Sequence, residues 1–370
     1  MKEQQQASLI REPAEVRHAK ELEALKHADE GSPRPPNWQL SPRKIIDFIT
    51  GTDEPVGGVP ISRKFYGDDV LVQRAVASLA SERALMLIGE PGTAKSWLSE
   101  HLSAAISGTS LNTIQGSAAV TEDQIKYSWN YALLLTKGPS RESLVPAPLL
   151  TGLEKGEVVR FEEITRCPPE IQDVLLSVLS DKVITIPELD AQGTIFARKG
   201  FGLIATANTR DRGVNEMSSA LKRRMNFETI QPLNNIDVEM DLVSRQVSHF
   251  LEGVQIRREV PQEVIELLTT TFSDLRSGRT SEGEKVDRLL TATMSTAECV
   301  ETGINAAVYS HYIEDRPMTP EAAAINLRGT IIKDNLEDLK KLQSYFNLIV
   351  KKRTTKHWKK FYSSSRTLFS

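Results

Sequence analysis

The pattern of apolar positions first indicates a buried strand followed by an amphipathic helix. Residues 84–88, ALMLI, are continuously apolar, as a parallel strand covered on both faces must be. The apolar residues of the next segment share one helical face: Leu98, Leu102, Ala105 and Ile106. This helix is expected to stop at Gly108.

Three further strand signals follow in the same part of the chain. A second strand around 158–161 leads into PPEIQDVLLSVLSD. In that segment the apolar residues have helical spacing: Ile171, Val174, Leu175, Val178 and Leu179. A third strand covers Phe201–Ala207, and a weaker fourth covers Phe227–Ile230. Strands that alternate with helices predict an open, mostly parallel α/β sheet.

Beyond Pro232 the strand signals cease and helices take over. One helix is predicted from Pro261, with its apolar positions at Val264, Leu267, Leu268 and Phe272. The sequence STAE, Ser295–Glu298, is a capping box that opens another. A third helix is expected to start at Thr319–Pro320. These signals predict a separate α-helical domain.

The segment before the sheet reads as helices joined by a linker. GSPRPPN, residues 31–37, contains prolines that block helix and sheet, and Ser41 with Pro42 is a helix start. We therefore divide the chain into four parts: an N-terminal helical extension and linker (1–63), an α/β core (64–232), an α-helical domain (233–350) and a basic C-terminal tail (351–370).

Composition narrows the class of protein. The 370 residues are 39% hydrophobic and 26% charged, with a formal net charge of -3. These values are typical of a globular protein and give no overall attraction to nucleic acid or anionic membranes. No apolar run approaches the roughly 20 residues of a membrane span, and the N-terminus shows no signal-peptide core. We therefore expect a cytoplasmic protein in which Cys167 and Cys299 are reduced thiols.

The loop after the first strand is a candidate phosphate site. GEPGTAKS, residues 89–96, matches G-x-x-x-x-G-K-[ST] except that Ala94 replaces the second glycine. It lies at a strand-to-helix junction, where backbone N–H groups and the helix N-terminus favour anions. Gly92 supplies a positive φ, and the Ala94 methyl is expected to fit if that position takes an ordinary φ. The alternative is a plain turn with an exposed lysine.

Three further segments favour a P-loop ATPase. Glu162 and Glu163 end a buried strand that we expect beside the loop's strand, where they could reach Mg²⁺ and an attacking water. Asn208 ends the next strand and could orient that water. Arg223 and Arg224 follow a short helix, from which an arginine could reach a neighbouring subunit's phosphate. Singly, these are commonly a solvated acid pair, a turn residue and surface arginines, but their joint order is distinctive.

These motifs resemble the MoxR family of AAA+ ATPases. In that family GEPGTAKS, with alanine before the lysine, is usual, and EEITRCPPEIQDVLLSVLSD and ATANT are similar to its Walker B and sensor-1 segments. Residues 115–148 lie where the clade inserts a hairpin into the second core helix, and 182–200 resemble its pre-sensor-1 hairpin. RFEEITRCPPEIQDVLL is most similar to the YehL-type branch. The resemblance covers residues 66–350.

The resemblance implies ATP and Mg²⁺ as cofactors and assigns the site. Tyr66 and Gly67 would border the adenine. The segment around the phosphates comprises Gly89, Glu90, Pro91, Gly92, Thr93, Ala94, Lys95, Ser96 and Trp97. Ser96 and Glu162 would hold Mg²⁺, Glu163 would polarise the water, and Asn208 would be sensor 1. Arg224 would be the arginine finger, with Arg223 as the alternative.

Three features depart from the family pattern. Glu162 replaces the usual aspartate, and Arg160 interrupts a strand that is usually apolar. The sensor-2 sequence Ser-Pro-Arg of many relatives is here 295–297, Ser-Thr-Ala, so its arginine is missing and Ser295 with Glu298 is more simply a helix cap. These departures affect the expected hydrolysis rate more than nucleotide binding.

The family resemblance also implies an assembly and a partner. MoxR-like proteins form rings, usually hexamers, and act as chaperones on partners with von Willebrand factor A domains. The alternatives are a nucleic-acid-directed or defence-system motor, and a nucleotide-gated scaffold with weak hydrolysis. The tail, KKRTTKHWKKFYSSSR, combines basic and aromatic residues, which suits nucleic acid, but a solvated tail or a packed final helix is the more ordinary outcome.

Overall fold

A computed structural model describes residues 10–208, 215–333 and 335–369, apart from the side chains of 191–192 and 366–368. Its residues form two compact units. The first contains the described residues up to Gly89 together with 94–230, and the second contains 90–93 together with 231–369. Residues 1–9 of the expected extension lie outside the described part.

The first unit is an α/β structure. In chain order its helices and strands are α1 (Ala14–Arg17), α2 (Ala19–Ala28), α3 (Pro42–Thr50), α4 (Asp69–Ala80), β1 (Ala84–Gly89), α5 (Lys95–Ser107), β2 (Thr113–Gln115), α6 (Glu122–Ile125), β3 (Tyr127–Trp129), α7 (Tyr131–Lys137), β4 (Leu144–Pro146), α8 (Pro148–Lys155), β5 (Val158–Glu162), α9 (Pro169–Asp173), α10 (Leu175–Asp181), β6 (Val183–Thr185), β7 (Thr194–Phe196), β8 (Gly202–Asn208), α11 (Ser219–Lys222) and β9 (Met225–Ile230). A single 3₁₀ turn lies at Ile164–Arg166, and a kinked 3₁₀ segment lies at Pro187–Gln192.

Five strands form one sheet in the order β2-β5-β8-β1-β9, and every neighbouring pair is parallel. The predicted α/β fold is therefore confirmed, with the four predicted strands in place. Our expectation that the strand of Glu162 lies beside the loop's strand is wrong, because β8 lies between β5 and β1. Apolar runs identify buried strands, but they do not specify the lateral order in which crossovers place them.

Helix ends in the first unit follow the capping signals. The backbone N–H of Lys44 donates to Ser41 Oγ at 3.4 Å, and Pro42 occupies the first turn of α3. Gly108 ends α5 in the left-handed region, with φ 74°. The helix expected over PPEIQDVLLSVLSD forms as α9 and α10, with a turn at Val174 between them.

Both predicted hairpins are present. Strands β3 and β4 pair antiparallel and enclose α7, so the insertion carries a helix in addition to the hairpin that the resemblance predicted. Strands β6 and β7 also pair antiparallel and are joined by the second 3₁₀ turn.

The segment before the sheet packs into the first unit. Leu25, Trp38 and Phe48 belong to the same buried cluster as residues of β1 and α5. Arg17 forms an ion pair with the buried Glu100 of α5 at 2.5 Å. The segment before β1 therefore contributes side chains to this unit's core.

The regular elements of the second unit, among its described residues, are helices. This unit contains α12 (Ile236–Gly253), α13 (Gln262–Ser277), α14 (Thr296–Tyr312), α15 (Pro320–Ile331), α16 (Leu336–Leu348), a 3₁₀ turn at Val350–Lys352 and α17 (Lys356–Phe369). The predicted starts hold, with Pro261, Ser295 and Thr319 preceding α13, α14 and α15. The capping box of α14 is complete.

The basic segment 351–370 ends in a packed helix. Trp358 and Phe361 of α17 are buried in the core of the second unit. Arg353 donates to the carboxylate of Asp274 at 2.7 Å, and its guanidinium lies 3.8 Å from the centre of the Trp358 ring. Of the outcomes considered for this segment, the structure has the packed final helix.

Both cysteines of the chain lie inside the protein. Cys167 and Cys299 are both buried free thiols. Among the helices of the described residues, none has the combined length and apolar character needed to cross a lipid bilayer.

The packing of α17 gives a stability prediction. Phe361→Ala removes a fully buried ring from the helical core, which typically costs about 3–5 kcal/mol. We expect a clear fall in the thermal unfolding midpoint of the full chain, measured by circular dichroism. Lys359→Ala, on the exposed side of the same helix, is the matched control and should change the midpoint little. Equal effects of the two substitutions would mean that α17 does not pack as described.

Candidate nucleotide-binding site

The sheet brings three strand ends to one edge. Gly89 of β1 is the register partner of Asn208 of β8, and Glu162 is the last residue of β5, the other neighbour of β8. Because the three strands are parallel, their carboxyl ends and the loops that follow lie side by side. The phosphate-loop candidate, the acid pair and the sensor-1 candidate therefore meet at this edge.

The loop backbone is more strained than the sequence indicated. Gly92 has φ 77°, as predicted, but Ala94 also has a positive φ, 64°, so the expectation of an ordinary φ there is wrong. The left-handed conformation costs an L-residue roughly 1–2 kcal/mol. Both residues are exposed. Such strain persists where the surrounding structure requires it, commonly at ligand sites.

Lys95 opens α5 directly after this loop. Its side chain is buried, with 7% exposed, and Nζ donates to the carbonyl of Gly89 at 3.2 Å. The ammonium is thus folded back onto the loop instead of extending into solvent. It lies at a helix N-terminus, where the backbone dipole also favours an anion. The alternative of a plain turn with an exposed lysine does not describe this arrangement.

Glu162 is a buried carboxylate with four hydrogen-bond donors. Oε2 accepts from Ser96 Oγ at 2.6 Å and from Thr206 Oγ1 at 2.8 Å. Oε1 accepts from Ser99 Oγ at 2.6 Å and from Arg160 Nη2 at 2.8 Å. Burial acts to raise the pKa of Glu162, but the Arg160 charge and the three hydroxyls outweigh it and hold the pKa below its ordinary value. The carboxyl group is therefore ionised at neutral pH.

Glu163 begins the segment that follows β5. Its backbone is left-handed, with φ 54°, and its N–H donates to Thr206 Oγ1 at 3.0 Å. Its carboxylate forms an ion pair with Arg166 Nε at 2.5 Å, and about a third of its side chain is exposed. The two neighbouring acids therefore have different surroundings, one buried against α5 and one open to water.

The two arginines lie at the end of α11. Arg224 is half-buried, and its Nη1 donates to the Ala220 carbonyl at 2.7 Å while Nε donates to Ser180 Oγ. Arg223 is the more exposed of the two, and its Nε donates to the Ser219 carbonyl at 3.2 Å. Arg223 therefore contacts its own helix, and Arg224 contacts both its own helix and α10.

Tyr66 and Gly67 lie in the segment before α4, and Trp97 lies in the first turn of α5. The guanidinium of Arg63 lies 5.9 Å from the ring centre of Tyr66 and donates to the carbonyl of Gly67 at 3.3 Å. Trp97 Nε1 donates to the carbonyl of Lys64 at 2.9 Å, and Arg17 lies over the indole at 4.5 Å. The Trp97 ring thus contacts the N-terminal part of the first unit.

Comparison with known proteins identifies the family. Residues 84–225 match the AAA domain (dynein-related subfamily), and residues 237–368 match the YehL-like AAA+ ATPase C-terminal domain. The chain is 49% identical over 363 residues to the Escherichia coli (strain K12) protein described as uncharacterized protein YehL, which is 97% of this chain and 98% of that protein. The chain belongs to the YehL-like AAA+ ATPases.

More distant likenesses accompany this match. The chaperone protein ClpB of Corynebacterium diphtheriae is 30% identical over 118 residues, 32% of this chain and 13% of that protein. Crystal structures of NtrX from Brucella abortus, in complex with ATP and with ADP, give TM-scores of 0.44 and 0.46 at 13% and 12% identity. They cover 67% and 70% of this chain, which spans 53% and 54% of theirs.

Sequence reasoning missed three side chains of this YehL-like site. Ser99 and Thr206 both donate to Glu162 but were not among the candidates. Arg160 was noted only as a departure from the family pattern, and it also donates to Glu162. The signals were present in the spacing. Ser99 lies one helical turn after Ser96, and Arg160 lies two residues before Glu162 and so on the same face of the strand. The role of these residues becomes clear only when the fold shows that they contact Glu162.

The loop geometry gives a binding prediction. Lys95→Ala removes the ammonium that folds onto the loop, so we expect ATP binding to fall below detection by isothermal titration calorimetry. Lys199→Ala changes an exposed lysine paired with Glu82 and should leave binding intact. An unchanged affinity in Lys95→Ala would exclude this loop as the phosphate site.

Proposed function

We propose that this AAA+ protein hydrolyses ATP in a ring oligomer and uses the cycle to remodel or activate a protein partner, in the manner of MoxR-like chaperones. The observation that carries the proposal is the ionised Glu162, which accepts a hydrogen bond from Ser96 at the edge of the sheet where the 89–96 loop begins. An acid, a hydroxyl and a lysine in this arrangement are the parts that P-loop enzymes use for phosphoryl transfer.

The oxygen atoms at this edge suit Mg²⁺. Ser96 Oγ and Glu162 Oε2 are 2.6 Å apart, and both are hard donors of the kind that the ion prefers. Ser96 and Glu162 would hold it, and the ion would neutralise charge on the phosphates when bound. Two protein oxygens leave the other positions to phosphate and water, which is usual for Mg²⁺ with nucleotides.

The chain's own groups suggest how water is activated. Glu163 is the acid of the pair that water reaches, since about a third of its side chain is exposed. A carboxylate there can accept the proton of an attacking water. Asn208, at the end of the neighbouring β8, would orient that water through its amide.

An arginine from a neighbouring subunit would complete the site. Head-to-tail contacts between copies close into cyclic rings, and a hexamer is the usual AAA+ number. We assign the finger to Arg224, with Arg223 as the alternative because it is the more exposed. On assembly Arg224 would exchange its bonds to Ala220 and Ser180 for a phosphate oxygen.

Exposed apolar side chains on the hairpins favour a protein partner. Leu135 of α7 is 88% exposed and Phe196 of β7 is 70% exposed, and Tyr131 lies one turn before Leu135. Apolar side chains at such positions suit contact with a polypeptide. We propose a partner with a von Willebrand factor A domain, following the MoxR resemblance.

One observation bears on the nucleic-acid alternative. Single-stranded nucleic acid is commonly bound by aromatic rings on which bases stack. Trp358 and Phe361 of the basic segment are buried in the helical core, which leaves them unable to take that role.

A second candidate, a scaffold with slow hydrolysis, is favoured by Ala297 in the first turn of α14, where many relatives have the sensor-2 arginine.

The different surroundings of the two acids give a catalytic prediction. Glu163→Gln should keep ATP affinity but lose most turnover, because an amide cannot accept the water's proton. Phosphate release measured alongside calorimetry checks both parts. Glu170→Gln, an exposed change in α9, is the control and should retain turnover. If Glu162→Gln bound ATP normally without turnover while Glu163→Gln remained active, the two roles would be reversed.

The trans-acting finger predicts that activity depends on assembly. An arginine finger supplies on the order of 10³-fold or more in turnover, so specific activity should rise with protein concentration. Arg224→Ala should cut turnover with little loss of ATP affinity. Mixing it with Lys95→Ala protein should restore some activity, because intact loops then meet intact fingers.

Two results would contradict this assembly. Full activity in a strictly monomeric preparation would exclude a trans-acting finger. Failure of rescue in mixed rings that are shown to form would exclude Arg224, and inactivity of Arg223→Ala alone would then assign the finger to Arg223.

A further inference from the structure

The two unusual residues of β5 contact each other. Relative to the MoxR pattern, Arg160 stands where the strand is usually apolar and Glu162 where the acid is usually aspartate. Residues two apart in a strand face the same side, and here Arg160 Nη2 donates to Glu162 Oε1 at 2.8 Å. Both are buried, with 9% and 4% exposed.

Arg160 uses every donor of its guanidinium inside the protein. Nε donates to Ser99 Oγ at 3.0 Å, and Nη1 donates to the Ser110 carbonyl at 3.0 Å and to Thr113 Oγ1 at 3.3 Å. Nη2 donates to Glu162 and also to the Ser96 carbonyl at 3.2 Å. The guanidinium thus connects β5 to the first two turns of α5 and to the start of β2. A lysine has no such planar fork of donors.

The length of the Glu162 side chain matches this arrangement. Its Oε1 meets Arg160 and Ser99, while its Oε2 meets Ser96 and Thr206. An aspartate carboxyl at this position would lie about 1.5 Å nearer the backbone, one C–C bond shorter. An apolar residue at 160 would leave the longer glutamate without the cation that compensates its burial.

We propose that Arg160 is a positioning residue for the Mg²⁺ site, and that Arg160 and Glu162 act as one unit in place of an apolar residue and an aspartate. Arg160 fixes the carboxylate so that Oε2 faces the hydroxyl of Ser96. The inference rests on the proposed ATPase function, because it assigns Ser96 and Glu162 to Mg²⁺. The two departures from the family pattern are then a single feature.

The test measures how strongly Mg²⁺ assists ATP binding. The dissociation constant of ATP is determined by calorimetry in excess Mg²⁺ and in EDTA, and the ratio of the two constants is the Mg²⁺ dependence. Changing a residue that orients a metal ligand typically costs about 10–100-fold in metal affinity. Arg160→Leu should therefore lower the Mg²⁺ dependence by about tenfold or more, while affinity in EDTA stays near that of the wild type.

A double variant tests whether the two residues form a unit. Glu162→Asp alone should also lower the Mg²⁺ dependence, because the shorter acid loses the Arg160 fork. The double variant Arg160→Leu/Glu162→Asp restores the usual family pair. Its fold-loss in Mg²⁺ dependence should be smaller than the product of the fold-losses in the two single variants. Arg141→Leu, which breaks an exposed pair with Glu154, is the matched control and should leave the dependence unchanged.

Three results would overturn the inference. They are an unchanged Mg²⁺ dependence in Arg160→Leu, an unchanged dependence in Glu162→Asp, and losses in the double variant equal to or larger than the product of the single losses. If Arg160→Leu does not fold by circular dichroism, Arg160→Lys replaces it in the same cycle, since it retains the charge and loses the fork. Absence of Mg²⁺-assisted ATP binding in the wild type would instead contradict the proposed function itself.

Discussion

The parallel pairing of β5, β8 and β1 is the constraint on which the site depends. It aligns Gly89 with Asn208 and ends β5 at Glu162 on the same edge, so that residues over a hundred positions apart in sequence become neighbours. Parallel strands need crossover connections, and α5 supplies one that begins at the phosphate-loop candidate and packs on the face carrying Glu162. The same geometry that buries the sheet therefore positions a hydroxyl, a lysine and an acid together.

The carboxyl edge of the sheet contains strained backbone and a buried charge, and hydrogen bonds within the site compensate the charge. Ala94 and Glu163 both take left-handed backbone conformations, and Glu162 is an ionised group inside the protein. Burial of an unpaired carboxylate is unfavourable, and here Arg160 with the hydroxyls of Ser96, Ser99 and Thr206 compensates it. Strain and buried charge of this kind accumulate where structure serves binding more than stability.

Local patterns predicted most of the elements of the fold and selected the candidate residues at this edge. Apolar runs located the central strands, and the caps at Ser41, Ser295 and Thr319 located helix starts, because these signals act over a few residues. The order of strands and the partners of Arg160 were not predictable, since each is decided by segments distant in sequence. The positive φ at Ala94 was missed because alanine seldom adopts that conformation. The sequence alone did not decide whether the basic segment is a solvated tail or a packed helix. That depends on the core of the second unit, in which its aromatic residues are buried.

The central claim is that this edge binds a nucleotide through its phosphates. Calorimetric titration of the wild-type chain with ATP and with adenosine, each in excess Mg²⁺, tests that claim most directly. The groups at this edge that act on phosphate or on its metal ion are the 89–96 loop, the N-terminus of α5 and the Ser96–Glu162 pair. We therefore predict saturable binding of ATP and no measurable binding of adenosine. Equal affinity for the two ligands, or no binding of ATP, would contradict the account.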